Sequence, residues 1–130
     1  MKALEKKINK FLKERGWDKL QPADVAKSIM IEGAELLEWF QWGSPSSADI
    51  NLDETRKRGI REELADVFIY ALELAVLLKF DAAAIIEEKL TAAARKYPAR
   101  LMNQDVDPDT GVSRHYKQIK LQHRQDRYVQ

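Results

Sequence analysis

Apolar side chains recur at helical spacing through most of the chain. Leu4, Ile8, Phe11 and Leu12 fall on one face of a segment from about Lys2 to Glu14, and Gly16 follows as a stop. Pro22 suits the first turn of a second helix that runs to about Trp42. Residues 43–52, GSPSSADINL, have the composition of a loop. Asn51 or Asp53 is placed to cap a third helix reaching about Lys79, with Gly59 as a tolerated interior glycine. Asp81 is placed to cap a fourth, ending near Tyr97 before Pro98. No run alternates apolar and polar residues between turn signals, as a strand would. The pattern predicts an all-α fold of four helices packed as a bundle. The segment from Ala99 to Gln130 reads differently: an acidic turn, DVDPDTG at 105–111, precedes a basic, weakly amphipathic stretch. A short helix, an arm for a partner chain and a disordered tail all fit it.

Helical geometry, at about 100° per residue, separates the acidic residues by direction. With Ile29 at zero on the second helix, Val25, Leu36 and Phe40 mark the core side. Glu32 then falls at about 300° and Glu35 at about 240°, on the shoulder of the apolar face, while Glu38 lies opposite the core at about 180°. With Ile60 at zero on the third helix, Glu63 falls at about 300° and Asp66 at about 240°, on the same shoulder. Two consecutive helices thus carry matched pairs, E-x-x-E at 32–35 and E-x-x-D at 63–66. An antiparallel packing lets the four carboxylates converge. Four semi-buried carboxylates raise one another's pKa, and hard divalent cations such as Mg²⁺ or Mn²⁺ relieve that repulsion. A single acidic pair of this kind is usually a solvated face; two in register on apolar shoulders point to a metal site.

Composition narrows the chemistry. The chain has 130 residues, suited to one ordinary domain, with 45% apolar residues for a core. Its 22 basic and 21 acidic residues leave a net charge of +1, which argues against a nucleic-acid polymer as partner. The absence of cysteine removes disulfides, thiolate metal sites and a Cys nucleophile. Two histidines near the C-terminus make a Ser-His-Asp triad or a His zinc site improbable, and neither fits the E-x-x-H of a ferritin-like di-iron centre. DVDPDTG is read as a polar turn, since a calcium loop needs Gly and Glu where Thr110 and Tyr116 stand. The N-terminus lacks a signal-peptide core and no apolar run is long enough for a membrane span, so a cytoplasmic protein is expected.

EGAELLEWFQW at 32–42, followed by EELADVFIYALELA at 62–75, resembles the MazG-like nucleotide pyrophosphohydrolases of the all-α NTP pyrophosphatase superfamily. FLKERGW at 11–17 and the closing K-x₆-K-Y-P at 89–98 extend the resemblance over about residues 4–98 and favour the dCTP-pyrophosphatase-type branch. This implies a catalytic domain over 1–98 and an extension of unknown role over 99–130. The resemblance implies Mg²⁺ ligands at Glu32, Glu35, Glu63 and Asp66, and hydrolysis of a nucleoside triphosphate to the monophosphate and pyrophosphate. A carboxylate not fully engaged by metal, Glu35 or Glu38, is the expected general base. It further implies nucleobase contacts at Trp17, Trp42 and Tyr70 and a phosphate contact at Lys89. Trp42 is favoured over Trp17, which can equally pack over the bundle end; Tyr70 can be core, and Lys89 a solvated charge. Ala93 stands where the family has Asn, which leaves the choice of nucleotide open. The competing reading is a non-catalytic helical binding or assembly module on the same scaffold. Ile69 and Val76, opposite Ile60 and Leu78, make the third helix apolar on both sides, so a homodimer or a dimer of dimers is expected.

Overall fold

A computed structural model describes residues 1–128. Its elements are α-helical: α1 (Lys2–Arg15), a 3-10 turn (Trp17–Lys19), α2 (Pro22–Glu38), α3 (Ser47–Leu52), α4 (Glu54–Leu77), α5 (Ala82–Lys96), α6 (Ala99–Met102) and α7 (Arg114–Tyr128). Among the described residues the only extended pairing is a single antiparallel bridge between Val106 and Ser113. The all-α expectation therefore holds. The chain resolves into two compact units, Met1–Ala83 and the residues from Ala84 on. None of the described helices is long and apolar enough to cross a membrane.

The first unit is built on α2 packed along α4, with α1 also against α4. Gly16 ends α1 at φ 70, a left-handed conformation that an L side chain adopts only under strain, and its N–H closes the helix onto the Leu12 and Lys13 carbonyls. The chain then turns through the 3-10 segment, and Pro22 opens α2 where the lost N–H has no helical partner to miss. Ile8 and Leu12 of α1, Leu72 and Ala75 of α4, and Ala82 form one buried cluster. Val25 of α2 is also buried.

Three local expectations are corrected. Residues 43–52 are not wholly a loop: Ser46 and Asp49 form a reciprocal capping box, Asp49 N–H donating to Ser46 Oγ at 3.2 Å and Ser46 N–H to Asp49 Oδ2 at 2.9 Å, and this starts α3. Gly59 is more than tolerated, because the Trp39 indole lies directly over it and occupies the space of any Cβ. The second helix is also shorter than expected, stopping at Glu38, with Trp42 at φ 68 beyond it.

In the second unit, α6 and α7 pack together around the acidic turn. Asp107 Oδ1 accepts from the Asp109 and Thr110 N–H groups at 2.9 and 3.3 Å, an Asx turn, and Gly111 takes φ 67. Ser113, buried, donates to the Gln104 carbonyl at 2.7 Å. The stretch left undecided by sequence is thus a turn followed by a 15-residue helix.

Candidate functional site

The α2–α4 pairing brings Glu32, Glu63 and Asp66 together, with one carboxylate oxygen of each within 4.8 Å of the others. All three are half-buried. Burial first, then the charges of Glu35, Asp66 and Glu63, push the Glu32 carboxyl above its ordinary value of 4.5. Glu63 is pushed up in the same order of causes, by burial and then by Glu35, Asp66, Glu62 and Glu38. Glu35 is exposed and outside the tight group of three, yet its charge acts on both Glu32 and Glu63. Glu38 is exposed on the last turn of α2.

These residues offer only oxygen donors, crowded enough to disfavour their own ionisation. That donor set fits a hard divalent cation and does not fit zinc or copper, which favour nitrogen and sulfur.

Beside the carboxylates lies a cavity of about 450 Å³ that shares Asp66 with them. Phe11 and Trp17 wall one side, meeting edge to face with ring centroids 5.9 Å apart. The Arg15 guanidinium sits 3.7 Å over the other aromatic, Phe11. Leu20 of the connection, Asp24, Val25 and Ser28 of α2, and Ile69, Tyr70 and Glu73 of α4 complete the wall. Burial, then the charges of Glu32, Glu73 and Asp66, raise the Tyr70 hydroxyl above its ordinary value, with the Ser28 hydroxyl pulling the other way.

Of the aromatic residues implied as base contacts, Trp17 and Tyr70 line this cavity, whereas Trp42 is 93% exposed and does not. Lys89 lies in the second unit, exposed on α5, where it lines a cavity of about 590 Å³ with Arg95, Lys96, His123 and Arg127.

Sequence reading missed Glu73. It is 3% exposed, its Oε1 has no hydrogen-bond partner, and burial alone pushes its carboxyl up. On the α4 wheel it falls at about 220°, beside Asp66 and two turns further on. That direction was available from the sequence, but nothing there distinguishes a buried glutamate from a wet one.

A model of the MazG-like family matches residues 27–118. The dCTP pyrophosphatase 1 of Homo sapiens is 33% identical over 93 residues, and that of Rattus norvegicus 31% identical over 93 residues. Each match covers 70% of this chain and 55% of the relative, so the chain spans about half the length of the relatives it matches. The crystal structure of a pyrophosphatase from Archaeoglobus fulgidus DSM 4304 superposes with a TM-score of 0.67 at 39% identity, covering 75% of this chain and 92% of that one.

Proposed function

Because the chain belongs to the MazG-like family, we propose that it hydrolyses a deoxynucleoside triphosphate to the monophosphate and pyrophosphate in a Mg²⁺-dependent reaction. The observation that carries this reading is the carboxylate group of Glu32, Glu63 and Asp66 standing beside an aromatic-walled cavity with Asp66 common to both. Polyphosphate chemistry at one end and a flat base at the other is the demand a nucleotide makes. The relatives named for dCTP favour a dCTP-like substrate.

Glu32, Glu63 and Asp66 would hold the cation, with Glu35 as the adjoining fourth carboxylate. A bound Mg²⁺ supplies charge neutralisation on the phosphates and a more acidic water. Glu35 and Glu38, exposed and outside the tight group, are free to take a proton from the attacking water. Trp17 and Phe11 hold the base by stacking, and Tyr70 and Ser28 present hydroxyls to the sugar or base.

The same reading includes self-association. Met30, Ile31 and Leu37 on α2 and Leu64, Phe68 and Ile69 on α4 are exposed, Met30 to 73%. Apolar exposure on both long helices of one unit favours a homodimer or a dimer of dimers.

The deciding experiment incubates the protein with a panel of dNTPs and NTPs and Mg²⁺, separates products by chromatography, and repeats the assay with EDTA. Monophosphate and pyrophosphate, lost on chelation, support the reading. Diphosphate plus phosphate, or no turnover of any nucleotide, overturns it and leaves the non-catalytic module as the better description.

A further inference from the structure

The second unit holds a cavity that the reaction described above does not use. It has a volume of about 590 Å³ and lies between α5 and α7. Lys89 and Lys96, two turns apart on one face of α5, line one side. His123 and Arg127, one turn apart on one face of α7, line the other. Among the described residues no carboxylate belongs to the wall. The ring of Tyr97, just beyond α5, meets that of Tyr116 on α7 with centroids 5.0 Å apart, and the Lys96 ammonium stands 5.1 Å over the Tyr97 ring. Buried Ser113 donates to the Gln104 carbonyl at 2.7 Å and accepts from the His115 N–H at 3.2 Å, which fixes where α7 starts.

Ordinary causes account for some of these charges singly. Arg95, Lys96 and Arg127 occupy the last turns of their helices, where a cation meets the negative end of the helix dipole. Arg95 also borders the shallow pocket of Glu87 and Glu88. Neither cause makes cations from two helices face a common space without a counter-ion. Among the described residues, Lys89, Lys96, His123 and Arg127 form no ion pair with a carboxylate. Asp126, next to Arg127 in the chain, instead accepts from Gln122 Nε2 at 2.9 Å. Permanent cations and a histidine around one cavity repel one another, and an anion of high charge density relieves that repulsion.

The geometry points to a metal-independent site for a phosphoanhydride anion, either free pyrophosphate or the triphosphate end of a nucleotide. His123 and Arg127 give the C-terminal extension its role, facing Lys89 and Lys96 from the opposite wall. Arginine grips two phosphate oxygens side by side, and the lysines supply point charge. A chain of two or three phosphates offers oxygens to both walls at once, whereas a single phosphate or a carboxylate answers fewer of the cations. None of these groups belongs to the carboxylate site, so the anion site stands whether or not the chain hydrolyses a nucleotide.

Titration calorimetry in EDTA tests it. Without metal the carboxylates of α2 and α4 repel phosphate, and dCMP controls for any binding through the base alone. One site per chain is expected, with pyrophosphate bound at least about tenfold more tightly than orthophosphate, and dCTP at least about tenfold more tightly than dCMP. Arg127→Gln should weaken pyrophosphate about tenfold, and the double variant Lys96→Gln, Arg127→Gln about a hundredfold, with thermal melts showing both still folded. The double variant Lys117→Gln, Arg124→Gln removes the same charge from exposed α7 positions outside the cavity and should change affinity less than about threefold. Similar affinities for pyrophosphate and dCTP assign the free anion, and dCTP bound more tightly than both pyrophosphate and dCMP assigns the nucleotide's triphosphate; either supports the site. No binding in EDTA, no preference over orthophosphate, or an equal loss in the Lys117 and Arg124 variant overturns it. A protein that binds pyrophosphate in this way and hydrolyses nothing keeps the site and loses the catalytic reading, and one that hydrolyses a nucleotide without this binding does the reverse.

Discussion

Replacing Gly59 with Ala should change sign with its neighbour. Gly59 is buried in α4, and a Cβ there would lie 2.5 Å from Trp39 Cη2 and closer still to two other indole atoms. Ordinary contact begins at 3.4 Å, so the ring must retreat by well over 1 Å, and overpacking of this kind costs about 1–3 kcal/mol. Against it stands the helix preference for Ala over Gly, about 1 kcal/mol. The clash is with the body of a rigid ring, so the upper end applies and Gly59→Ala should destabilise by about 2 kcal/mol. With the indole gone, in a Trp39→Ala background, only the preference remains and the same substitution should stabilise by about 1 kcal/mol. The resulting coupling is about 3 kcal/mol, large for one contact. Urea unfolding of the four proteins measures it, as shifts in midpoint at constant slope. Stabilisation in both backgrounds, or destabilisation in both, refutes the argument. The contact matters for the site because Trp39 follows Glu35 by four residues and Gly59 precedes Glu63 by four. Prising the indole away separates α2 from α4 one turn from the carboxylates, so Gly59→Ala should also raise the Mg²⁺ concentration needed for half-maximal turnover.

Other outcomes follow from the same geometry. Glu63→Gln should cut turnover at least a hundredfold while the metal-free protein melts no lower than wild type, since one of three crowded charges is removed; full activity in that variant would defeat the proposed site. Glu32, Glu63 and Glu73 all have carboxyls raised above the ordinary 4.5, so the fold binds their protons more tightly than the unfolded chain does. Their contribution is therefore fully present below about pH 4.5 and is lost as pH rises through the folded values. Thermal melts of metal-free protein should show that decline, and saturating Mg²⁺ should shrink it; a stability that rises steadily from pH 4.5 to 7 counts against it. Sedimentation at micromolar concentration should give a dimer or tetramer, and a 15.0 kDa monomer would remove the reading of the exposed α2 and α4 side chains.

Much of the architecture was legible because long helices repeat their signal. The start of α1 and Pro22 at the start of α2 are read from local chemistry, and the structure places them where expected. The directions of Glu32, Glu63 and Asp66 follow from helical period alone, and the structure brings these three together. Glu35 shows the limit of that method: a wheel gives a direction about one axis, and Glu35 shares its direction with the cavity side yet stands exposed near the end of α2. α3 was hidden because six residues are too few for a period to show, although the Ser46-x-x-Asp49 spacing was there to be read. Gly59 and Glu73 were illegible for a different reason. Each derives its meaning from a group across the α2–α4 packing or across a cavity, and a one-dimensional pattern does not say what lies opposite.

The left-handed turn at Gly16 has a consequence for how such a protein can diverge. It swings Trp17 out of the line of α1, so part of the cavity wall is furnished by a short connection and not by the paired helices. The carboxylates stand on α2 and α4, where any change of backbone disturbs all of them together. The segment from Phe11 to Leu20 can be rewritten with those helices left alone, provided residue 16 stays glycine. The aromatic side of the cavity can thereby vary on a ten-residue connection, while its other side stays tied to the two helices that carry the carboxylates.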